Sequence, residues 1–358
     1  MLDLGTAVGY LMLDTSGFDK GVKSVKTAYK ELTDSSKGFS DKLKTSKSLF
    51  NSVGSSLTKS LTLPLIGLGT ASVAMASDFE GAFKKLVNAT GAADDEVQQF
   101  EETLKRVYKA GYGESYEDVA DAIALIDQQL ENLSPLELEE VTESALVLRD
   151  TFEFDVGESI RAVDTLMKNF GLTSQQAFDY ITYGAQNGLN YSGELLDTIN
   201  EYSPQFQLLG LSAQSMFDIF VSGADAGAWN LDKIGDAVKE LGIRVRENSD
   251  ESRDALSRLM LNADEVAGAF ARGGDDAANA FQDILAGLRS LEDPLEQNRI
   301  GVALFGTMWE DLGSDVVLQL DSIRGSTEQA TGAVKDLKEQ KMDSFKTQLE
   351  QTSDKLKS

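Results

Sequence analysis

The chain has 358 residues, a formal net charge of −26 and 41% hydrophobic residues, a balance that suits a water-soluble protein of about two to three domains with buried cores. It contains no Cys and no His, which excludes disulfides, thiolate catalysis, thiolate zinc sites and triads built on an imidazole base. Carboxylate-only catalysis and oxygen-ligand calcium or magnesium sites stay open, yet no EF-hand loop, G-x-x-x-x-G-K-[ST] loop or H-E-x-x-H helix occurs.

The first residues, MLDLGTAVGYLMLD, lack the basic start and cleavage site of a signal peptide. Partial alternation within them predicts a short strand or arm over 1–14. The period then changes. Phe18, Val22, Val25, Tyr29, Leu32, Ser36, Phe39, Leu43, Ser46, Phe50, Val53 and Leu57 follow one another in alternating steps of four and three. That is a heptad seam, weakened by the two serines, and it predicts a coiled-coil stalk over 15–60. A stripe so narrow needs a partner helix, either a second copy or another protein. Residues 1–60 hold nine Lys against five Asp and one Glu, a net +3, while 61–330 carry −30. The basic side of the stalk is a candidate contact face, with a solvated helix face as the plainer reading. The acidic middle repels nucleic acid and anionic lipid, so no specific nucleic-acid binding is expected.

No charge falls between Lys59 and Asp78. This run predicts an apolar connector over 61–78, with Pro64, Leu65, Ile66, Leu68, Val73 and Met75 as its principal residues. Pro64 bends or breaks it, and its glycines and hydroxyls make it a poor membrane span. Burial against neighbouring helices and transient membrane contact are its two candidate uses.

From Gly91 the chain repeats. GAADDEVQQF, NLSPLELEEV, GLTSQQAFDY and GLSAQSMFDI begin at 91, 132, 171 and 210. Asp94, Ser134, Thr173 and Ser212 stand where N-caps belong. Each segment carries a second helical signature, with Asp121, Asp164, Asp197 and Asp236 in one equivalent place. The pattern predicts tandem helix pairs, a short solenoid, in an all-α core over 79–248. Helices continue over 249–330, with a break at Gly273–Gly274. A second heptad pattern, Met342, Phe345, Leu349, Thr352 and Leu356, predicts a second coiled coil starting in 331–358 and continuing past Ser358.

Several motifs, taken in this order, resemble one family: TLPLIGLG with ASDFE, then YGESYEDVADAI, NEYSPQFQLLGLSAQSMFDIF, DAVKELGIRVRENSD and VALFGTMWEDLGSDV. Together they are similar to the N-terminal and core region of phage tail tape measure proteins. The resemblance implies a structural virion protein in the tail lumen, made in the host bacterial cytoplasm. It would set tail length during assembly and leave the tube at genome ejection. The implied partners are the tail tube, a tail assembly chaperone, baseplate or tail-tip proteins, and the chain itself through its stalk. Glu114 and Glu158 lie in two Gly-Glu-Ser triplets, a pairing found in lytic transglycosylases. No glycine-rich active-site segment accompanies them, and an acid early in a helix is favoured by the macrodipole. No catalytic residue, metal ligand or cofactor is therefore assigned. A free helical-repeat adaptor and a membrane-inserting protein are the alternative functions.

Overall fold

A computed structural model describes residues 71–130, 133–320 and 330–344, and the regular structure among them is helical throughout. The predicted N-terminal strand, the seam from Phe18 to Leu57, connector residues Pro64, Leu65, Ile66 and Leu68, and the heptad from Phe345 onward lie outside the described residues. Helix α1 spans Ala71–Thr90 and includes Val73 and Met75. The chain divides into two compact units, Met1–Lys85 and Leu86–Ser358, and the division falls within α1. In the first unit Phe79 and Phe83, one helical turn apart, stack with centroids 5.9 Å apart.

The second unit holds four successive helix pairs. They are α2 (Asp94–Lys109) with α3 (Tyr116–Gln129), α4 (Pro135–Phe152) with α5 (Val156–Phe170), α6 (Ser174–Gln186) with α7 (Leu195–Leu208), and α8 (Ala213–Asp225) with α9 (Leu231–Glu247). The first members of the pairs touch in sequence, α2 to α4 to α6 to α8. The second members do the same, α3 to α5 to α7 to α9. The result is a two-layered stack, the tandem helix-pair arrangement predicted from the repeat. Beyond it come α10 (Asp250–Arg258), α11 (Ala263–Arg272), α12 (Gly274–Arg289), α13 (Pro294–Phe305), α14 (Met308–Leu312) and α15 (Ser314–Val317). Helix α13 extends the second layer by packing on α9. Among the described residues a further helix, α16, covers 333–344.

Local chemistry sets these boundaries. Ser134, Thr173 and Ser212 cap α4, α6 and α8 by accepting from the backbone N–H of Glu137, Gln176 and Ser215. For α2 the cap is Ala93, not Asp94. The Glu96 carboxylate reaches back to the Ala93 N–H at 2.9 Å, which satisfies that end and leaves Asp94 as the first helical residue. Second helices use Ser115, Asp155 and Asn230 in the same way. At helix C-termini one closure recurs. The N–H groups of Tyr112, Leu189, Leu211, Ala228 and Leu261 reach the carbonyls of Val107, Gly184, Phe206, Gly223 and Leu256. The preceding residue adopts positive φ, and it is glycine in the first four cases and Met260, at φ +59°, in the fifth. Met260 therefore makes a turn between α10 and α11 that carries no glycine signal.

The core lies between the layers. Ile123, Leu146, Ile160, Leu166, Ile181, Ile199 and Leu241 are fully buried. Aromatic rings link the third and fourth pairs: Tyr180 stacks on Phe217 at 5.0 Å, and Phe206 meets Phe220 edge-on at 5.5 Å. No helix among the described residues is long and apolar enough to cross a membrane.

Candidate functional site

Three of the segments that carried the family resemblance hold residues that join neighbouring helices. In YGESYEDVADAI, Gly113 has φ +79°, and a Cβ there would stand 2.4 Å from the Val119 side chain. Ser115 accepts from the Asp118 N–H to start α3. The Asp118 carboxylate then accepts from the Glu114 N–H at 2.8 Å and from the Arg149 guanidinium at 2.6 Å, tying the first pair to the second. Arg106 adds a second tie, 2.7 Å from Glu139.

The EYSPQF segment shapes the junction of the third and fourth pairs. Tyr202 is 1% exposed, and its ring lies against Gly235 of α9, where a Cβ would come within 2.4 Å of the ring. Its hydroxyl donates to Asp236 at 2.8 Å. Burial, aided by that hydrogen bond, pushes the phenol pKa well above its usual value. Pro204 sits inside α7 and supplies no N–H to the preceding turn. Beside it the Ser203 hydroxyl donates to the Ile199 carbonyl at 2.6 Å. Gly242 of α9 faces Leu209, completing the contact.

LFGTMWEDLG folds around Trp309, which is 2% exposed. Its indole lies over Gly301 of α13, where a Cβ would fall 2.2 Å from the ring, and its Nε1 donates to Asn298 at 2.9 Å. Gly306, at φ +56°, allows the close approach of the Glu240 side chain.

The two Gly-Glu-Ser triplets occupy different registers. Ser115 is an N-cap and Glu114 precedes α3, whereas Glu158 and Ser159 lie in the first turns of α5. Glu158 pairs with Arg161, and the Ser159 hydroxyl donates to the Asp155 carbonyl. Both triplets are helix starts, and their local bonds are those of capping. The equivalent aspartates are not gathered into one place either. Asp164 pairs with Lys168 at 2.6 Å, Asp236 serves Tyr202, and Asp197 is an exposed first-turn residue. Among the described residues no group of three or more acidic side chains is arranged to hold a metal ion.

The first layer carries a feature that sequence reasoning missed. Helix α16 lies on it, and its N-terminus is capped from a distance by Asp179 of α6. The carboxylate accepts from the N–H of Gly332 at 2.9 Å and of Val334 at 3.0 Å. Lys338 then reaches Glu143 of α4 at 3.0 Å, and Lys341 pairs with Asp150 at the end of α4. Burial raises the Glu143 pKa, against the attraction of Lys338. Residues 333–344 are thus docked on the first layer, and of the second predicted heptad only Met342 falls among them.

Comparisons with known proteins place the sequence in a family. Residues 109–306 match the family model described as phage-related minor tail protein. The chain is 34% identical over 184 residues to the probable tape measure protein of Streptomyces phage phiC31, covering 51% of this chain and 25% of that protein. It is 22% identical over 376 aligned positions to the tape measure protein of Pneumococcus phage Dp-1, covering 98% of this chain and 30% of the relative. A Bacillus subtilis (strain 168) protein, YqbO, is 28% identical over 222 residues, 62% of this chain and 14% of that one. The chain therefore spans less than a third of each of these relatives. No solved structure matches. The family match takes in the helix-pair array from the end of α2 to α13, which is more than half of the sequence, and this chain belongs to the phage-related minor tail protein family.

Proposed function

We propose that this chain is the N-terminal and core part of a tape measure that scaffolds a phage tail, sets its length during assembly and leaves the tube at genome ejection. The observation that carries the reading is the family match across the helix-pair array, joined to relatives named as tape measure proteins. The physical argument is one of division of labour. An α-helix rises about 1.5 Å per residue, so an extended helical chain makes a ruler whose length scales with sequence. A stack of short paired helices does not. The array is then an end module, and the measuring length belongs to extended chain outside residues 86–344. The seam from Phe18 to Leu57 supplies self-association, and the tail tube, an assembly chaperone and baseplate or tail-tip proteins are the remaining partners.

The test is tail length. Tails assembled with 30 helical residues removed outside 86–344 are expected to be shorter by about 45 Å. Tails of unchanged length would remove the ruler role while leaving the family membership intact.

A further inference from the structure

Helix α16 is attached differently from every helix beneath it. It runs across the first layer against chain order, from Asp179 on α6 to Glu143 and Asp150 on α4, and ends with the Lys341 ammonium 5.2 Å from the centre of the Tyr112 ring. Its polar fastenings are graded by exposure. The Asp179 cap is 5% exposed, the Lys338–Glu143 pair 15% and 16%, and the Lys341–Asp150 pair 24% and 31%. Its apolar burial is slender: Ala330, Ala333, Val334 and Leu337. The layers below are held by larger side chains. Helix α7 alone buries Leu195, Leu196, Ile199, Tyr202 and Phe206, and packs on α5 and α9. Those contacts join second-layer helices, whereas Asp179, Glu143 and Asp150 stand on the first layer.

We propose that residues 330–344 form a releasable clasp, latched to the first layer by Asp179, Glu143 and Asp150, which opens as a unit while the helix-pair array stays folded. Local cooperative opening of this kind is expected where few apolar contacts hold a segment and its outer polar bonds lie nearer solvent than its innermost one. The exposure gradient sets the order. Lys341 leaves first, Lys338 follows, and the two amides on Asp179 are released last. Opening would free about 50 Å of extended chain, at roughly 3.3 Å per residue. The clasp is a property of the array itself and stands whether or not the chain measures tails.

Hydrogen exchange on the full 358-residue chain tests it. Amides in 330–344 are expected to exchange at least tenfold faster than those of α5 and α7. Asp179→Ala leaves two amides without an acceptor, and should raise exchange in 330–344 by a further tenfold while α5 and α7 stay within twofold. Lys338→Gln should raise exchange in the same segment by a smaller factor. Equal protection of 330–344, α5 and α7 in the unmodified chain would overturn the proposal. So would an Asp179→Ala chain that speeds exchange everywhere or fails to fold, since the clasp would then be integral to the array. No change in 330–344 on Asp179→Ala would remove the latch.

Discussion

Gly235→Ala is the sharpest probe of how the helix pairs are joined. The new methyl carbon would stand 2.4 to 2.7 Å from three ring atoms of Tyr202, well inside van der Waals contact. The ring has nowhere to go. It is 1% exposed and its hydroxyl is fixed to Asp236. Helices α7 and α9 must separate or the tyrosine must leave its site. Overpacking of this kind costs about 1–3 kcal/mol, and loss of the hydrogen bond to a charged acceptor adds about 1.5–3 kcal/mol. Alanine recovers about 1 kcal/mol through its better helix propensity. The net expectation is a destabilisation of about 1.5–5 kcal/mol, read by urea denaturation with far-ultraviolet circular dichroism. Gly268→Ala is the control. It lies in α11 with only the flexible end of Arg272 near its Cβ position, at 3.3 Å, and should stabilise by about 0.5–1 kcal/mol. In a Tyr202→Leu background Gly235→Ala should cost much less, because the two sites are in contact and their effects do not add. A Gly235→Ala chain as stable as the parent, or more so, would refute the close-approach argument.

Three further outcomes are expected. Met260→Gly should stabilise the chain by about 1 kcal/mol in the same denaturation assay, because the methionine holds φ +59° with its side chain 95% exposed and positive φ costs a residue with a Cβ about 1–2 kcal/mol. Burial, with a smaller contribution from Tyr108, raises the Tyr116 phenol to about 12; the unfolded chain releases this proton from near pH 10, the folded chain does not, and stability should fall by on the order of 2 kcal/mol between pH 10 and 12, a loss that Tyr116→Phe should remove when unfolding is compared at the two pH values. Under the proposal that the 15–60 seam pairs with a second copy, Leu43→Asp with Phe50→Asp should abolish self-association, since a charge is costly to bury at a pairing position; sedimentation showing the same oligomer with both substitutions would eliminate self-pairing through that seam.

The helix pairs could be read from sequence because each one states its own limits locally. Ser134, Thr173 and Ser212 sit directly before their helices, and capping acts within three residues. The α10–α11 turn escaped because Met260 occupies a position that four sister turns give to glycine. Asp94 was misplaced for a similar reason: the residue that settles the end of α2 is Glu96, acting backwards on Ala93. The contacts that join pairs were out of reach for a different reason. Gly235 and Gly301 look like helix-weakening residues until Tyr202 and Trp309 are seen lying over them. Asp179 looks like one more acid on an amphipathic helix, and the amides it holds lie 153 and 155 residues further along the chain. No local pattern marks such a pairing. The Gly-Glu-Ser triplets show the opposite failure, since two identical triplets take different positions relative to their helices.

The turn between the third and fourth pairs meets the start of α12 main chain to main chain. The Gly274 N–H donates to the Gly210 carbonyl at 2.7 Å, and a Cβ on Gly210 would fall 2.3 Å from the Gly273 Cα. Arrays of stacked helix pairs commonly gain or lose units by duplication, because each unit touches only its neighbours. Between Gly210 and Gly273 that freedom is closed. An extra pair inserted after α9 would carry Gly273 away by about one helix spacing, 8–10 Å, and no side chain could bridge the gap between two glycines. The backbone contact fixes what lies between its two ends, so descendants of this gene that change size are expected to do so outside that stretch, and to leave the spacing from Gly210 to Gly273 alone.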